Sequence, residues 1–103
     1  MSFVIRNTTP AEHDAWEAVR WYEAREAGLG SRFLDAVAHA VASLAVNPMI
    51  YRQRRDGLRR IAVPGFEKYG VFYRVRGEEI FIAAVFHGAR HPRRLAERSE
   101  GHG

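Results

Sequence analysis

The residues best suited to chemistry lie in residues 87–95, which read HGARHPRRL. This stretch contains two histidines and three arginines, directly after the most apolar strand-like segment of the chain. A histidine titrates near neutral pH and can transfer protons, whereas an arginine binds phosphates and carboxylates through a planar fork of donors. The stretch therefore suggests either a catalytic cluster or a surface that binds an anionic partner.

An RNA-cleaving enzyme needs a group that accepts the 2′-hydroxyl proton, a group that protonates the leaving oxygen, and cations around the phosphate. The residues available for such a site are Arg59, Arg74, His87 and Arg90, with His91 as an alternative to His87. An arginine stays protonated at physiological pH and is a poor general base. His87 also has a structural interpretation, as a hydrogen-bonded residue at the end of a buried strand. The residue types alone leave both an enzyme and a binding protein open.

Charge is distributed unevenly along the chain. Residues 1–50 contain four arginines against six acidic residues, whereas residues 51–103 contain twelve basic residues against six acidic ones. Fifteen of the sixteen basic residues are arginine. This basic half favours an acidic partner, and charge alone does not distinguish a protein from a nucleic acid. A basic nucleic-acid-binding domain, with Tyr51, Tyr69 and Tyr73 available for base stacking, is therefore a further hypothesis.

Several classes of site are not expected. The sequence has no cysteine, so it has no disulfide, thiolate ligand or cysteine nucleophile. Its five histidines show no metal-binding spacing and there is no phosphate-binding loop motif, so we predict no metal and no cofactor. At 103 residues the chain is expected to form one domain over residues 1–98, with a disordered tail at 99–103. No signal peptide or membrane span is recognisable, which favours a cytoplasmic protein without membrane contact.

The first half of the chain has the period of helices. Thr9 as N-cap, Pro10 and Glu12 predict the start of a helix that runs to about Arg25. A second helix is expected to begin at Ser31 and to stop at Asn47-Pro48. Its apolar residues recur at three- and four-residue steps. The two helices are predicted to form an antiparallel hairpin.

The second half of the chain has the composition of strands. A short strand is expected at Phe3–Arg6, and three more at Leu58–Val63, Tyr69–Val75 and Glu79–His87, with turns at Pro64-Gly65 and Arg76-Gly77-Glu78. The resulting β-α-α-β-β-β order predicts an α+β fold, in which the helical hairpin packs on one face of a mainly antiparallel sheet. The opposite face is then available for a basic surface formed by the arginines.

Four pieces of the sequence, taken in order, resemble a known family: AWEAVRWYEAREAGLGSRFLDAV, the NP helix stop, LRRIAVPGFEKYGVFYRV and IFIAAVFHGARHPRRL. The chain resembles the toxin of a ParE-type toxin–antitoxin pair, within the RelE/ParE superfamily, from about Phe3 to Leu95. The resemblance implies the same α+β fold. It also implies a cognate antitoxin, ParD-like and usually a ribbon-helix-helix protein, in a hetero-oligomeric complex.

Two activities are implied by the superfamily. ParE-like members inhibit DNA gyrase, whereas RelE-like members cut mRNA on the ribosome and use lysines that this chain lacks near its second strand. The Gly88-Ala89-Arg90 run is typical of the ParE side, so we favour a gyrase inhibitor without turnover chemistry over a ribonuclease. The residues predicted to contact the target or the antitoxin are Arg55, Arg59, Arg60, Arg74, Arg90 and Arg93.

Overall fold

A computed structural model of the chain describes residues 3–88 and 92–101. The elements follow the order β1 (Val4–Asn7), α1 (Thr9–Arg25), α2 (Leu29–Leu44), a 3₁₀ turn (Pro48–Ile50), β2 (Arg59–Val63), β3 (Phe66–Arg76), β4 (Glu79–His87) and α3 (Pro92–Gly101). The predicted fold class is confirmed, and α3 is an additional helix that the sequence patterns did not reveal.

The four strands form one sheet in the order β1-β4-β3-β2. β1 runs parallel to β4, whereas the β4–β3 and β3–β2 pairs are antiparallel. β3 and β4 form a hairpin whose turn contains Gly77 at φ +60°, a conformation that glycine adopts without steric cost. The strand that the sequence analysis placed at Glu79–His87 has those bounds in the structure and lies inside the sheet.

The start of α1 differs from the prediction by one residue. The N-cap is Thr8, whose side-chain oxygen accepts a hydrogen bond from the Ala11 amide at 3.3 Å. The predicted cap, Thr9, is the first helical residue, so Glu12 does not complete a capping box. Either of the two consecutive threonines before Pro10 fits the sequence pattern of an N-cap. The Thr8 hydroxyl is held in place because it also donates a hydrogen bond to the Ile82 carbonyl at 2.8 Å.

A glutamate holds the connection between α1 and α2. The carboxylate of Glu23 accepts hydrogen bonds from the amides of Gly28 and Gly30 at 2.8 and 2.9 Å. These bonds lower the pKa of Glu23 from its ordinary value. A Cβ atom at Gly30 would lie 2.7 Å from the carbonyl oxygen of Val19, so the close approach of the two helices requires glycine there. α2 begins at Leu29, with Gly28 as its N-cap, whereas the predicted start was Ser31.

The face of the sheet covered by α1 and α2, called here the inner face, holds the main core. Phe33 and Tyr22 pack with Phe66 and Tyr69 at ring-centroid distances of 5.0 to 5.9 Å. Tyr73 is fully buried, and its hydroxyl donates to the Pro48 carbonyl at 2.7 Å. Burial raises the pKa of Tyr73 to about 12, against a smaller opposing effect of the nearby Arg59. Tyr73 is therefore not available for base stacking.

The opposite face, called here the outer face, has a smaller apolar cluster. Its buried members are Leu58, Phe72, Ala83, Ala84, Phe86 and Leu95. Leu95 belongs to α3, which covers part of this face. α3 extends to Gly101, so residues 99–101, which were expected to lie in a tail, belong to this helix, and Ser99 is buried. The division into a domain over residues 1–98 and a tail stays a prediction. His102 and Gly103 lie outside the described residues.

Candidate functional site

The edge of β4 is where α1, α3 and the sheet meet. β1 ends at Asn7, which pairs with Ile82, whereas β4 continues for five residues to His87. Within the described residues, 83–87 therefore have no neighbouring strand on the β1 side. An uncovered strand edge presents backbone donors and acceptors to solvent or to another chain.

An ion pair covers part of this edge. Asp14 on α1 accepts a hydrogen bond from the Val85 amide at 3.1 Å. Arg98 on α3 donates to the Ala83 carbonyl at 2.9 Å and binds both carboxylate oxygens of Asp14 at 2.8 and 3.1 Å. The Asp14 side chain is 5% exposed and that of Arg98 18%. The pair thus takes the hydrogen bonds that a longer β1 would make, and it joins α3 to the rest of the fold.

Arginines and aromatic rings pair on the outer face. The guanidinium of Arg54 lies 5.1 Å from the ring centroid of Phe72, and that of Arg60 lies 5.9 Å from the same ring. Arg98 lies 5.0 Å from the ring centroid of Phe86. Such contacts hold a cation over an aromatic face without removing its charge. Because Gly70 has no side chain, Arg60 can lie across it to reach the Glu67 carbonyl at 3.1 Å.

The predicted contact arginines divide between the faces. Arg60 lies on the outer face, because it pairs across the strands with Phe72 of the outer cluster. Arg74 projects from the same face, because the preceding residue, Tyr73, faces the inner core. Arg55 and Arg93 are exposed, in the connector before β2 and on α3 respectively. Arg90 lies outside the described residues.

Arg59 does not belong to the predicted basic surface. It pairs with Tyr73 across the strands, so its side chain lies on the inner face, where its guanidinium donates to the Tyr51 carbonyl. The expectation of one continuous basic surface was wrong at this residue, because side chains alternate between the two faces along a strand.

The three described members of the ribonuclease set do not converge. Arg59 and Arg74 lie on opposite faces of the sheet. His87 pairs with Tyr69 on β3, whereas Arg59 pairs with Tyr73, which lies four residues further along the same strand. Four residues of strand correspond to roughly 13 Å. A phosphate cannot contact all three side chains at hydrogen-bond distance in this arrangement.

His87 instead lies at the end of a surface cleft. The ring of His87 packs edge-on against Tyr69 at 5.1 Å between centroids. The adjacent cleft has a volume of about 230 Å³ between α1, the end of β4 and α3. Its polar lining combines the acids Asp14 and Glu17 with His87 and Arg94. Mixed charge of this kind suits a peptide segment better than a polyanion.

Sequence reasoning missed the Asp14–Arg98 pair. A signal for Asp14 was present, since it lies three residues after Ala11 and four before Ala18, on the buried stripe of α1. An acidic residue at such a position requires a partner. The identity of that partner was not readable, because Arg98 is 84 residues away along the chain.

The described residues contain no cluster of three or more histidine, cysteine or acidic side chains that could hold a metal ion. Among the helices of residues 3–88 and 92–101, none has the length and apolar content needed to cross a bilayer.

Comparison with known proteins finds a family whose members resemble this chain in sequence and a solved structure that resembles it in fold. The sequence profile of the family described as "ParE toxin of type II toxin-antitoxin system, parDE" matches residues 5–92. One solved chain, from the "Chromosomal ParDE TA system from P. aeruginosa", superimposes with a TM-score of 0.74, covering 84% of this chain and 96% of its own. Its sequence identity is 18%, so this likeness concerns the fold alone. No curated protein sequence gives a significant match.

Proposed function

Because the chain belongs to the ParE toxin family of type II toxin–antitoxin systems, we propose that it inhibits DNA gyrase by protein–protein binding and is neutralised by a cognate antitoxin. The inhibition requires no chemical step by the toxin. The protein acts by occupying or distorting a surface of the gyrase that the reaction cycle needs.

The separation of Arg59, Arg74 and His87 is the observation that carries this proposal. General acid–base catalysis requires the proton-transferring group and the phosphate-binding groups within hydrogen-bond reach of one substrate. Arg59 is engaged with the Tyr51 carbonyl on the inner face, and Arg74 projects from the other side of the same sheet. The described residues thus favour a binding protein over a ribonuclease.

The charge of the molecule supports partners with acidic surfaces. The net charge of the chain is +4, and its arginines are concentrated in the second half. Complementary charge accelerates association and fixes orientation more than it adds affinity. Both proposed partners, the antitoxin and the gyrase, would benefit from this attraction.

Purified components test the target directly. Adding the wild-type protein to purified bacterial gyrase should reduce supercoiling and cause cleaved DNA complexes to accumulate. The same preparation should leave mRNA on translating ribosomes intact. Undisturbed gyrase together with cut ribosome-bound mRNA would refute the proposal in favour of a ribonuclease.

Co-expression tests the antitoxin. The small open reading frame adjacent to the toxin gene should restore growth and yield a complex that survives gel filtration. A neighbouring product that neither binds the protein nor restores growth would remove the antitoxin part of the proposal.

A further inference from the structure

Three apolar side chains project from the connector between α2 and β2. Val46, Met49 and Ile50 are 82%, 54% and 64% exposed, which makes them the most exposed large apolar residues in the described part of the chain. We call these three residues the connector knob. Single exposed apolar residues are common on protein surfaces, whereas three within five residues of sequence favour a contact with another molecule.

The connector knob is held in place by hydrogen bonds on both sides. The Asn47 side chain accepts from the Met49 amide at 3.2 Å. The carbonyl of buried Pro48 accepts from Tyr73, and the carbonyl of Tyr51 accepts from Arg59. These anchors fix the backbone before binding, so little conformational entropy is lost when a partner covers the knob.

The sequence around the connector knob carries an excess of positive charge. Residues 46–60 contain five arginines and one aspartate, a net charge of +4 that equals the net charge of the whole chain. Arg52 and Arg55 are exposed, and neither has an ion-pair or hydrogen-bond partner in the parts of the chain that the structure describes. These two guanidinium groups are therefore available to carboxylates of another molecule.

We propose that the connector knob, with Arg52 and Arg55 at its rim, is the surface through which the toxin binds its gyrase target. The occupant is a folded protein surface with an apolar socket and acidic residues around it. This inference rests on the proposed function and adds the location and the chemistry of the contact.

A protein fits this surface better than a nucleic acid does. Protein interfaces have an apolar centre and a polar rim, with arginine and methionine enriched. Non-specific nucleic-acid sites combine cations with aromatic rings on which bases stack. The knob has aliphatic and thioether side chains at its centre, and these gain nothing from a phosphate backbone.

The shape of the connector knob favours a folded partner over an extended peptide. Val46, with four-fifths of its surface exposed, projects from the molecule and needs a concave socket to be buried. An extended segment cannot form such a socket, and it fits a groove such as the cleft beside His87. The knob is therefore assigned to the target rather than to an antitoxin segment.

Charge-introducing substitutions test this assignment. Ile50→Glu should raise the concentration needed for half-inhibition of gyrase supercoiling by about 30-fold or more, which is the usual loss at an interface hot spot. The double substitution Arg52→Glu and Arg55→Glu should weaken inhibition. Salt should weaken inhibition by the wild-type protein, by screening attraction, and should strengthen inhibition by the variant, by screening repulsion. Matched controls are Val4→Glu, at an exposed apolar residue of β1, and Arg20→Glu, at an exposed arginine of α1, and both should stay within about 3-fold of wild type.

Further readouts separate the outcomes. Circular dichroism, thermal unfolding and binding of the adjacent-gene antitoxin should be unchanged in Ile50→Glu. Unchanged inhibition by this variant, or equal loss of gyrase and antitoxin binding, would overturn the assignment. Loss of RNA binding in the arginine variant, with gyrase inhibition retained, would overturn it in favour of a nucleic-acid site. If the wild-type protein itself has no effect on gyrase, the proposed function fails rather than the location of the contact.

Discussion

On the inner face of the sheet, Phe33 contacts the rings of Tyr22, Phe66 and Tyr69, whereas on the outer face Phe72 lies beneath the guanidinium groups of Arg54 and Arg60. Aromatic contacts on the inner face remove apolar area from water on all sides. Cation–π contacts on the outer face cover a ring while keeping charge in solvent. The inner face therefore supplies stability, whereas the outer face displays charge at little energetic cost.

Removing the centre of the inner face should have the largest effect on stability. Phe33→Ala should lower the free energy of unfolding by about 4 kcal/mol, because Phe33 is fully buried and its loss leaves a cavity among three other rings. Urea unfolding followed by circular dichroism gives this value. Trp16→Ala, at a half-exposed position of α1, is the control and should cost less than about 1.5 kcal/mol. A comparable loss of stability in both variants would show that the inner-face cluster is not the main source of stability.

The Asp14–Arg98 pair joins the two faces and should have the second-largest effect. Asp14→Ala removes the acceptor of the Val85 amide and the carboxylate partner of Arg98, which keeps only its bond to the Ala83 carbonyl, at a cost of about 3 kcal/mol. α3 should also become more accessible to protease, with cleavage C-terminal to His87. Asp35→Ala removes an exposed carboxylate on α2 and should leave stability and cleavage near wild type. Wild-type protease resistance in Asp14→Ala would show that the ion pair is not needed to hold α3 on the sheet.

The outer face should tolerate loss of its cations. Arg60→Ala should reduce the free energy of unfolding by less than about 1 kcal/mol, the usual size of an exposed cation–π contact. Thermal unfolding measures this effect. A loss as large as that of Phe33→Ala would contradict the division of roles between the faces.

A smaller, pH-dependent effect is expected away from both faces, at Glu23. Hydrogen bonds from the Gly28 and Gly30 amides lower the pKa of Glu23 in the folded state. The ionised carboxylate therefore stabilises the fold above the ordinary pKa of 4.5. This stabilisation is lost as the pH falls through the lowered pKa. The stability difference between wild type and Glu23→Gln should therefore be present at pH 7 and shrink in acid. A difference that does not change between pH 7 and pH 3 would show that the carboxylate charge is irrelevant at this turn.

Much of the fold was predictable because its signals are local. Tyr69, Val71, Tyr73 and Val75 alternate along the predicted strand Tyr69–Val75, and all four residues belong to the inner core or pack against it. The turn at Gly77 followed from a glycine between two β-branched and aromatic segments. Such signals depend on residues only a few positions apart.

Non-local contacts set the limits of prediction. α3 contains few apolar residues, and its burial depends on Leu95 meeting Phe72 and Phe86 from distant parts of the chain. The alternation rule was sufficient to place Arg59 and Arg60 on opposite faces, but only the strand register shows which of them faces inward. The contact roles of the predicted arginines stay a prediction, and how these residues divide between the two faces could not be read from local signals.

Dependence of inhibition on gyrase concentration tests the central claim, which is that the toxin inhibits by binding without turnover. Supercoiling should be measured against toxin concentration at two gyrase concentrations well above the dissociation constant. The toxin concentration needed for complete inhibition should rise in proportion to the gyrase concentration and should not fall with longer incubation. Inhibition by far less than one toxin molecule per gyrase, deepening with time, would contradict it.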